Sequence, residues 1–131
     1  MTYELETNQT ELKQVMLALV TCRNNVKKGF KRNYGLLGHK EKLSVYDSLK
    51  EKIINRFIDL EEQEEKTFFV ELDHEEVYML NSFLEFYITS LREKELNAEQ
   101  EILIVILERA FNKVKLLIEM IKEEQEKCLA N

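Results

Sequence analysis

The chain has 131 residues, of which 44% are hydrophobic and 34% charged, and its formal net charge is −6. This length suits a single domain over residues 1–131, and the hydrophobic share excludes a wholly disordered chain. There is no proline and there are only three glycines, which disfavours the many tight turns of a β-sandwich or β-barrel. The composition therefore predicts a mainly helical domain.

Hydropathy and the first residues bear on location. The longest apolar runs have six residues, as at 102–107, far fewer than the roughly 18–20 residues that span a bilayer. The first residues are acidic and polar, unlike a signal peptide. Cys22 and Cys128 are far apart in the sequence and neither lies in a CxxC motif, so we expect both to be reduced. The prediction is a cytoplasmic protein with no membrane partner, and the composition is typical of AT-rich bacterial or phage genomes.

The first predicted helix covers residues 8–33. Hydrophobic side chains recur there every three or four residues from Leu12 to Phe30, which places them on one helix face. Asn8 and Glu11 form a capping-box pattern at its start. We expect the helix to end near Gly35, because the residues at 34–39 are typical of a loop.

The second predicted helix starts at Ser44, which with Asp47 is typical of a helix N-terminus. Hydrophobic residues at helical spacing follow up to Leu60. Residues 61–66 then contain four glutamates, and negative charge is unfavourable at a helix C-terminus. The helix is therefore predicted to end near residue 62, with the acidic segment as a solvated connection.

Residues 67–72 change to the alternating pattern of a strand, with Phe68, Val70 and Leu72 on one face. A single strand leaves its backbone groups unpaired. The other strand-like segment is residues 2–6, where Tyr3 and Leu5 share a face. We predict a short two-stranded β ribbon between residues 2–6 and 67–72. Pairing with the same strand of a second chain is the alternative.

Two further helices complete the predicted fold. Asp73 and Glu76 form a capping box that opens a helix over residues 74–94. Asn97 and Gln100 open a last helix that extends to about Cys128. Because residues 102–107 are apolar on all sides, this helix needs cover from several sides, either in its own bundle or from another subunit. Four amphipathic helices predict a four-helix antiparallel bundle with the ribbon at one end.

No pattern of catalytic or metal-binding residues is found. Glu71 and His74 have the Glu-x-x-His spacing of di-iron bundles, but such sites need this motif twice. Two cysteines and two histidines do not supply a zinc site. The glycines fit no phosphate-binding motif, and Cys22 lies on an apolar stripe. We therefore expect no enzymatic activity and no catalytic, cofactor-binding or metal-binding residues.

Charge is distributed unevenly along the chain. Residues 11–56 carry eleven basic and four acidic side chains, whereas residues 57–131 carry eight basic and nineteen acidic ones. The densest basic segment, residues 27–42, is a candidate site for binding a protein partner or an anion such as phosphate. Its candidate residues are Lys27, Lys28, Lys31, Arg32, Tyr34 and Lys40.

Nucleic acid is a second candidate ligand for this segment, because Phe30 and Tyr34 can stack on bases. The acidic net charge disfavours non-specific binding of nucleic acid. The alternative is a solvated face that pairs with the acidic half of the same chain and with a helix C-terminus.

A second candidate surface consists of hydrophobic residues that fall off the main helical stripes: Met79, Phe86, Leu103, Ile104, Leu107 and Phe111. Surplus apolar surface is typical of an interface, and the two-fold homodimer is the commonest soluble oligomer. The alternative is that these residues fill an enlarged core around the last helix. Together these observations favour a non-catalytic protein-interaction module, a regulatory or accessory protein that self-associates. The alternative function is a nucleic-acid-binding accessory protein that uses segment 27–42.

Overall fold

The computed structural model describes residues 1–60 and 67–130, with Ala130 described by its backbone alone. The elements in chain order are β1 (Thr2–Thr7), α1 (Gln9–Ile58), β2 (Phe68–Asp73), α2 (His74–Arg92) and α3 (Ala98–Ala130). The described part is mainly helical with one short sheet, as predicted. It contains three helices, so the predicted four-helix bundle is wrong. The predicted acidic connection at 61–66 lies outside the described residues.

The difference arises at Gly35, where α1 has a sharp kink. Gly35 has φ 75° and ψ −173°, a backbone conformation that is essentially restricted to glycine. Helix continues on both sides of it, so the predicted loop at 34–39 is absent and Ser44 lies inside α1 instead of starting a helix. The buried His39 has its Nδ1 2.9 Å from the carbonyl oxygen of Gly35. Since a carbonyl only accepts, Nδ1–H donates and supports the kink.

The kink reverses the direction of α1, so that a first arm (residues 9–34) lies beside a second arm (residues 36–58). The Tyr46 hydroxyl donates to the Leu19 carbonyl oxygen. The Arg23 guanidinium donates to both carboxylate oxygens of Asp47, at 2.7 and 2.8 Å. In a straight helix residues 23 and 47 would be about 36 Å apart. These contacts are therefore made only because the chain folds back at Gly35.

The ribbon forms within one chain, as predicted. β1 and β2 are antiparallel, with Thr2 opposite Asp73 and Thr7 opposite Phe68. Leu5 lies opposite Val70, and both are buried against the helices. The neighbouring side chains of each strand are exposed, namely Glu4 and Glu6 in β1 and Phe69 and Glu71 in β2. This alternation matches the pattern that predicted the strands.

Three predicted helix caps are confirmed. The backbone N–H groups of Glu11, Glu76 and Gln100 each donate at 2.9 Å to the side chain three residues earlier. The core lies where both arms of α1, α2, α3 and the ribbon meet, and α3 packs on α2, α1 and β1. Its largest fully buried hydrophobic residues include Tyr46, Leu12, Leu19, Leu49, Ile53, Leu80, Leu84, Leu107 and Ile121. None of the described helices is long and apolar enough to cross a membrane.

Candidate functional site: an apolar helix face and a basic cleft

The six residues predicted for self-association occupy different positions. Ile104 and Leu107 are buried in the core, whereas Phe86 is 61% exposed. The other three are partly buried against the core: Met79, Leu103 and Phe111. These six residues therefore do not form one exposed surface, and for five of them the enlarged-core alternative describes the observed position.

A different set of exposed α3 residues consists of two hydrophobic pairs on one helix face, with the exposed Arg109 between them. Ile102, Val105, Leu116 and Met120 are between 47% and 62% exposed. At 100° per residue they share one helix face, opposite the buried side chains of the same helix. We call these four residues the outer stripe. The sequence pattern does not single out Ile102 and Val105, because residues 102–107 are apolar all round, whereas the spacing of Leu116 and Met120 was a usable signal.

Ion pairs on both flanks hold α3 so that the outer stripe stays uncovered. On one flank the Lys113 ammonium lies 2.8 Å from the Glu11 carboxylate of α1, and that carboxylate is buried. On the other flank Arg92 of α2 pairs with Glu108. These contacts fix which side of α3 faces the core, and the opposite side has no partner among the described residues.

The second candidate surface is a cleft between the first arm of α1 and α2, which we call the α1–α2 cleft. Its volume is about 660 Å³. The structure brings three of the predicted basic residues to it, Lys28, Lys31 and Arg32. On the other side α2 contributes Phe86 and Ser90, and Lys94 lies just beyond the end of that helix. Ser90 and Lys94 are not evident as site residues from the sequence, because only the packing of the two helices brings them to the basic segment.

The remaining predicted residues of segment 27–42 lie elsewhere. Lys27 is partly buried and does not line the cleft. The Tyr34 ring packs edge-on against Phe30 with its centroid 6.0 Å away. Lys40 lines a separate shallow depression that also contains Asp47 and Glu51. Segment 27–42 is therefore not one continuous basic surface.

Cys22 and Tyr87 also line the α1–α2 cleft. Cys22 lies there partly buried, and burial raises the pKa of its thiol. A protonated thiol is a poor nucleophile. Burial also raises the pKa of Tyr87 beside it. Cys22 and Cys128 are both free thiols.

No metal-binding group is found in residues 1–60 and 67–130, where no three histidine, cysteine, aspartate or glutamate side chains converge. The described residues thus offer two surfaces of different chemistry, the apolar outer stripe and the basic α1–α2 cleft. Comparison of the chain with protein-family models, curated proteins and solved structures found no match.

Proposed function

We propose that the protein is a non-catalytic interaction protein, with a regulatory or accessory role, that self-associates through the outer stripe of α3. The observation that carries this proposal is the alignment of four exposed hydrophobic side chains on one face of a well-anchored helix. Single exposed hydrophobic residues are normal on a protein surface. An aligned row of them is typical of an interface.

The spacing within the stripe supports a second copy of the chain as the partner. The intervals along the stripe from Ile102 to Met120 are three, eleven and four residues, so the spacing is nearly symmetric about the centre of the stripe. A two-fold interface needs a surface that matches itself after rotation. With the axis near residue 111, Ile102 of one copy faces Met120 of the other, and Val105 faces Leu116.

The size of the stripe predicts a weak dimer. From residue 102 to residue 120 it is about 27 Å long at 1.5 Å per residue, and it covers roughly 270 Å² per copy at a width of about 10 Å. A stable complex buries about 800 Å² per partner. Covering eight half-exposed side chains contributes about 8 kcal/mol, against an association cost of about 4–15 kcal/mol. At the low end of that cost about 4 kcal/mol remains, so we expect a dissociation constant of about 1 mM.

Sedimentation equilibrium from about 10 µM to about 1 mM tests the proposal. The native chain is expected to be monomeric at the low end of this range and partly dimeric at about 1 mM, and the double variant Val105→Glu/Leu116→Glu is expected to stay monomeric. The matched control is Leu17→Glu/Val20→Glu, because these α1 residues are 45% and 51% exposed but lie outside the stripe. A monomer at all concentrations contradicts the proposal, as does equal loss of the dimer in both variants.

Disulfide cross-linking tests the antiparallel geometry. In a Cys22→Ala/Cys128→Ser background, a mixture of Val105→Cys and Leu116→Cys chains is expected to cross-link. The control mixture of Val105→Cys and Ile102→Cys chains is expected to cross-link poorly, since these positions lie at opposite ends of the two-fold pair. Preferential cross-linking in the control mixture refutes the antiparallel arrangement.

A further inference from the structure

The α1–α2 cleft combines four cationic side chains with an exposed aromatic ring. The cations are Lys28, Lys31, Arg32 and Lys94, and the ring is that of Phe86, which is 61% exposed. We propose that this cleft binds a nucleotide, with its phosphate among the four cations and its base stacked on Phe86. This ligand is independent of the outer stripe, which lies on another helix.

Charge is the first argument for an anion. Elsewhere on the protein Arg23, Lys52 and Lys113 each pair with a carboxylate. Like most other basic side chains in the described part of the chain, the four cleft cations have no ion pair with a carboxylate there. Four like charges around one cleft repel one another, and a bound phosphate group relieves that repulsion.

The placement on the two helices separates the two ends of the ligand. Lys28 and Arg32 are one helical turn apart on α1, so they share a face. Phe86 and Ser90 are about one helical turn apart on α2, and Lys94, just beyond the end of that helix, completes the row of cleft-lining residues on this side. The aromatic ring and Lys94 thus lie at opposite ends of this row. The Ser90 hydroxyl donates to the carbonyl oxygen of Phe86 at 2.9 Å, which leaves its lone pairs free to accept from a ligand.

Size and long-range charge favour a free nucleotide over a long nucleic acid. The volume of about 660 Å³ lies within the range of small-molecule sites, about 300–1,000 Å³. The net charge of −6 repels an extended polyanion, whereas a compact anion within the screening length of about 8–10 Å responds mainly to the four cations. Glu85 and Glu93 border a depression on the other side of Phe86, where a longer strand would meet negative charge.

Titration calorimetry with AMP, supported by NMR shift mapping, tests the assignment. We expect one AMP per chain, shifts at Phe86 and Ser90, and weaker binding of adenosine or of inorganic phosphate alone. Lys28→Glu/Lys94→Glu is expected to weaken AMP binding by about tenfold or more. The control Lys13→Glu/Lys122→Glu changes the net charge equally at exposed positions outside the cleft, and is expected to leave the affinity within about twofold.

Stacking of the base is tested with Phe86→Ala. This substitution is expected to weaken the binding of AMP about tenfold and to leave the binding of inorganic phosphate unchanged. A short single-stranded oligothymidylate is the second ligand. Tighter binding of AMP than of this strand supports a free nucleotide, and binding of the strand alone overturns it in favour of nucleic acid. No saturable AMP binding, equal losses in the charge variant and its control, or indifference to Phe86→Ala each refute the proposal. None of these results depends on whether the chain forms a dimer.

Discussion

The kink in α1 predicts that the same substitution, glycine to alanine, has different effects on stability at two positions. Gly29 lies in regular helix and Gly35 at the kink with φ 75°. A Cβ added at either glycine meets nothing within 4 Å. The two alanine variants therefore differ in backbone conformation and not in packing.

The expected effects have opposite signs. Gly29→Ala is expected to stabilise the protein by about 1 kcal/mol, because alanine is the better helix former. Gly35→Ala is expected to destabilise it by about 1–3 kcal/mol, because an L residue is strained at this φ and ψ. Both changes restrict the unfolded chain equally, so that effect cancels between the variants. With an unfolding entropy of about 0.28 kcal/mol/K for this length, the melting temperatures should differ by about 10 °C.

Thermal unfolding followed by circular dichroism measures this difference, and size-exclusion chromatography checks the oligomeric state of each variant. A straightened α1 would carry the second arm away from its own core, so a Gly35→Ala chain that forms an exchanged dimer still supports the strain at Gly35. If monomeric Gly35→Ala melts at or above the temperature of Gly29→Ala, the assignment of the kink to a strained Gly35 is wrong.

Two further predictions concern buried polar contacts. Glu76 is 1% exposed and accepts hydrogen bonds from the Lys52 ammonium at 2.5 Å and from the Asp73 N–H at 2.9 Å. Glu76→Ala is expected to lower the free energy of unfolding by about 3 kcal/mol. Lys52→Met is expected to lower this free energy by about 1 kcal/mol, since the Lys52 side chain is 42% exposed. A coupling energy under about 0.3 kcal/mol between these two substitutions, measured by urea unfolding, would contradict a stabilising ion pair. Tyr46→Phe removes the hydrogen bond between the two arms and is expected to cost about 1 kcal/mol at neutral pH. Burial raises the pKa of Tyr46, so above pH of about 10 the unfolded chain loses this proton while the folded one keeps it, and stability falls by up to about 1.4 kcal/mol per pH unit. Because the phenylalanine of the Tyr46→Phe variant cannot ionise, the stability of that variant should fall less steeply in alkaline urea titrations, and identical pH profiles would refute the reasoning.

Local patterns were sufficient to predict several parts of the fold. The caps at Asn8, Asp73 and Asn97 depend on residues three positions apart, so their spacing is visible in the sequence. The ribbon was predictable because alternation identified two strands and left each with one candidate partner within the chain. In these cases the deciding interactions are short-range or have few alternatives.

The helix count required information that local patterns do not contain. A glycine that ends a helix and one that kinks it have the same local signal. The kink at Gly35 is supported by contacts between the arms, such as that of Tyr46 with Leu19, which are 27 residues apart. Similarly, residues 102–107 are hydrophobic on all sides, so only their packing shows which of them face outward. The joining of Lys94 to the basic residues of α1 also depends on tertiary packing.

The order in which the two strands are synthesised has a consequence for the nascent chain. β1 is complete at Thr7, but its partner is complete only at Asp73. At a ribosomal rate of about 5–20 residues per second, the strand waits roughly 3–13 s for that partner. Throughout this interval its backbone is open to other strands emerging nearby. Crowded polysomes are therefore the setting in which β1 is most exposed to mispairing.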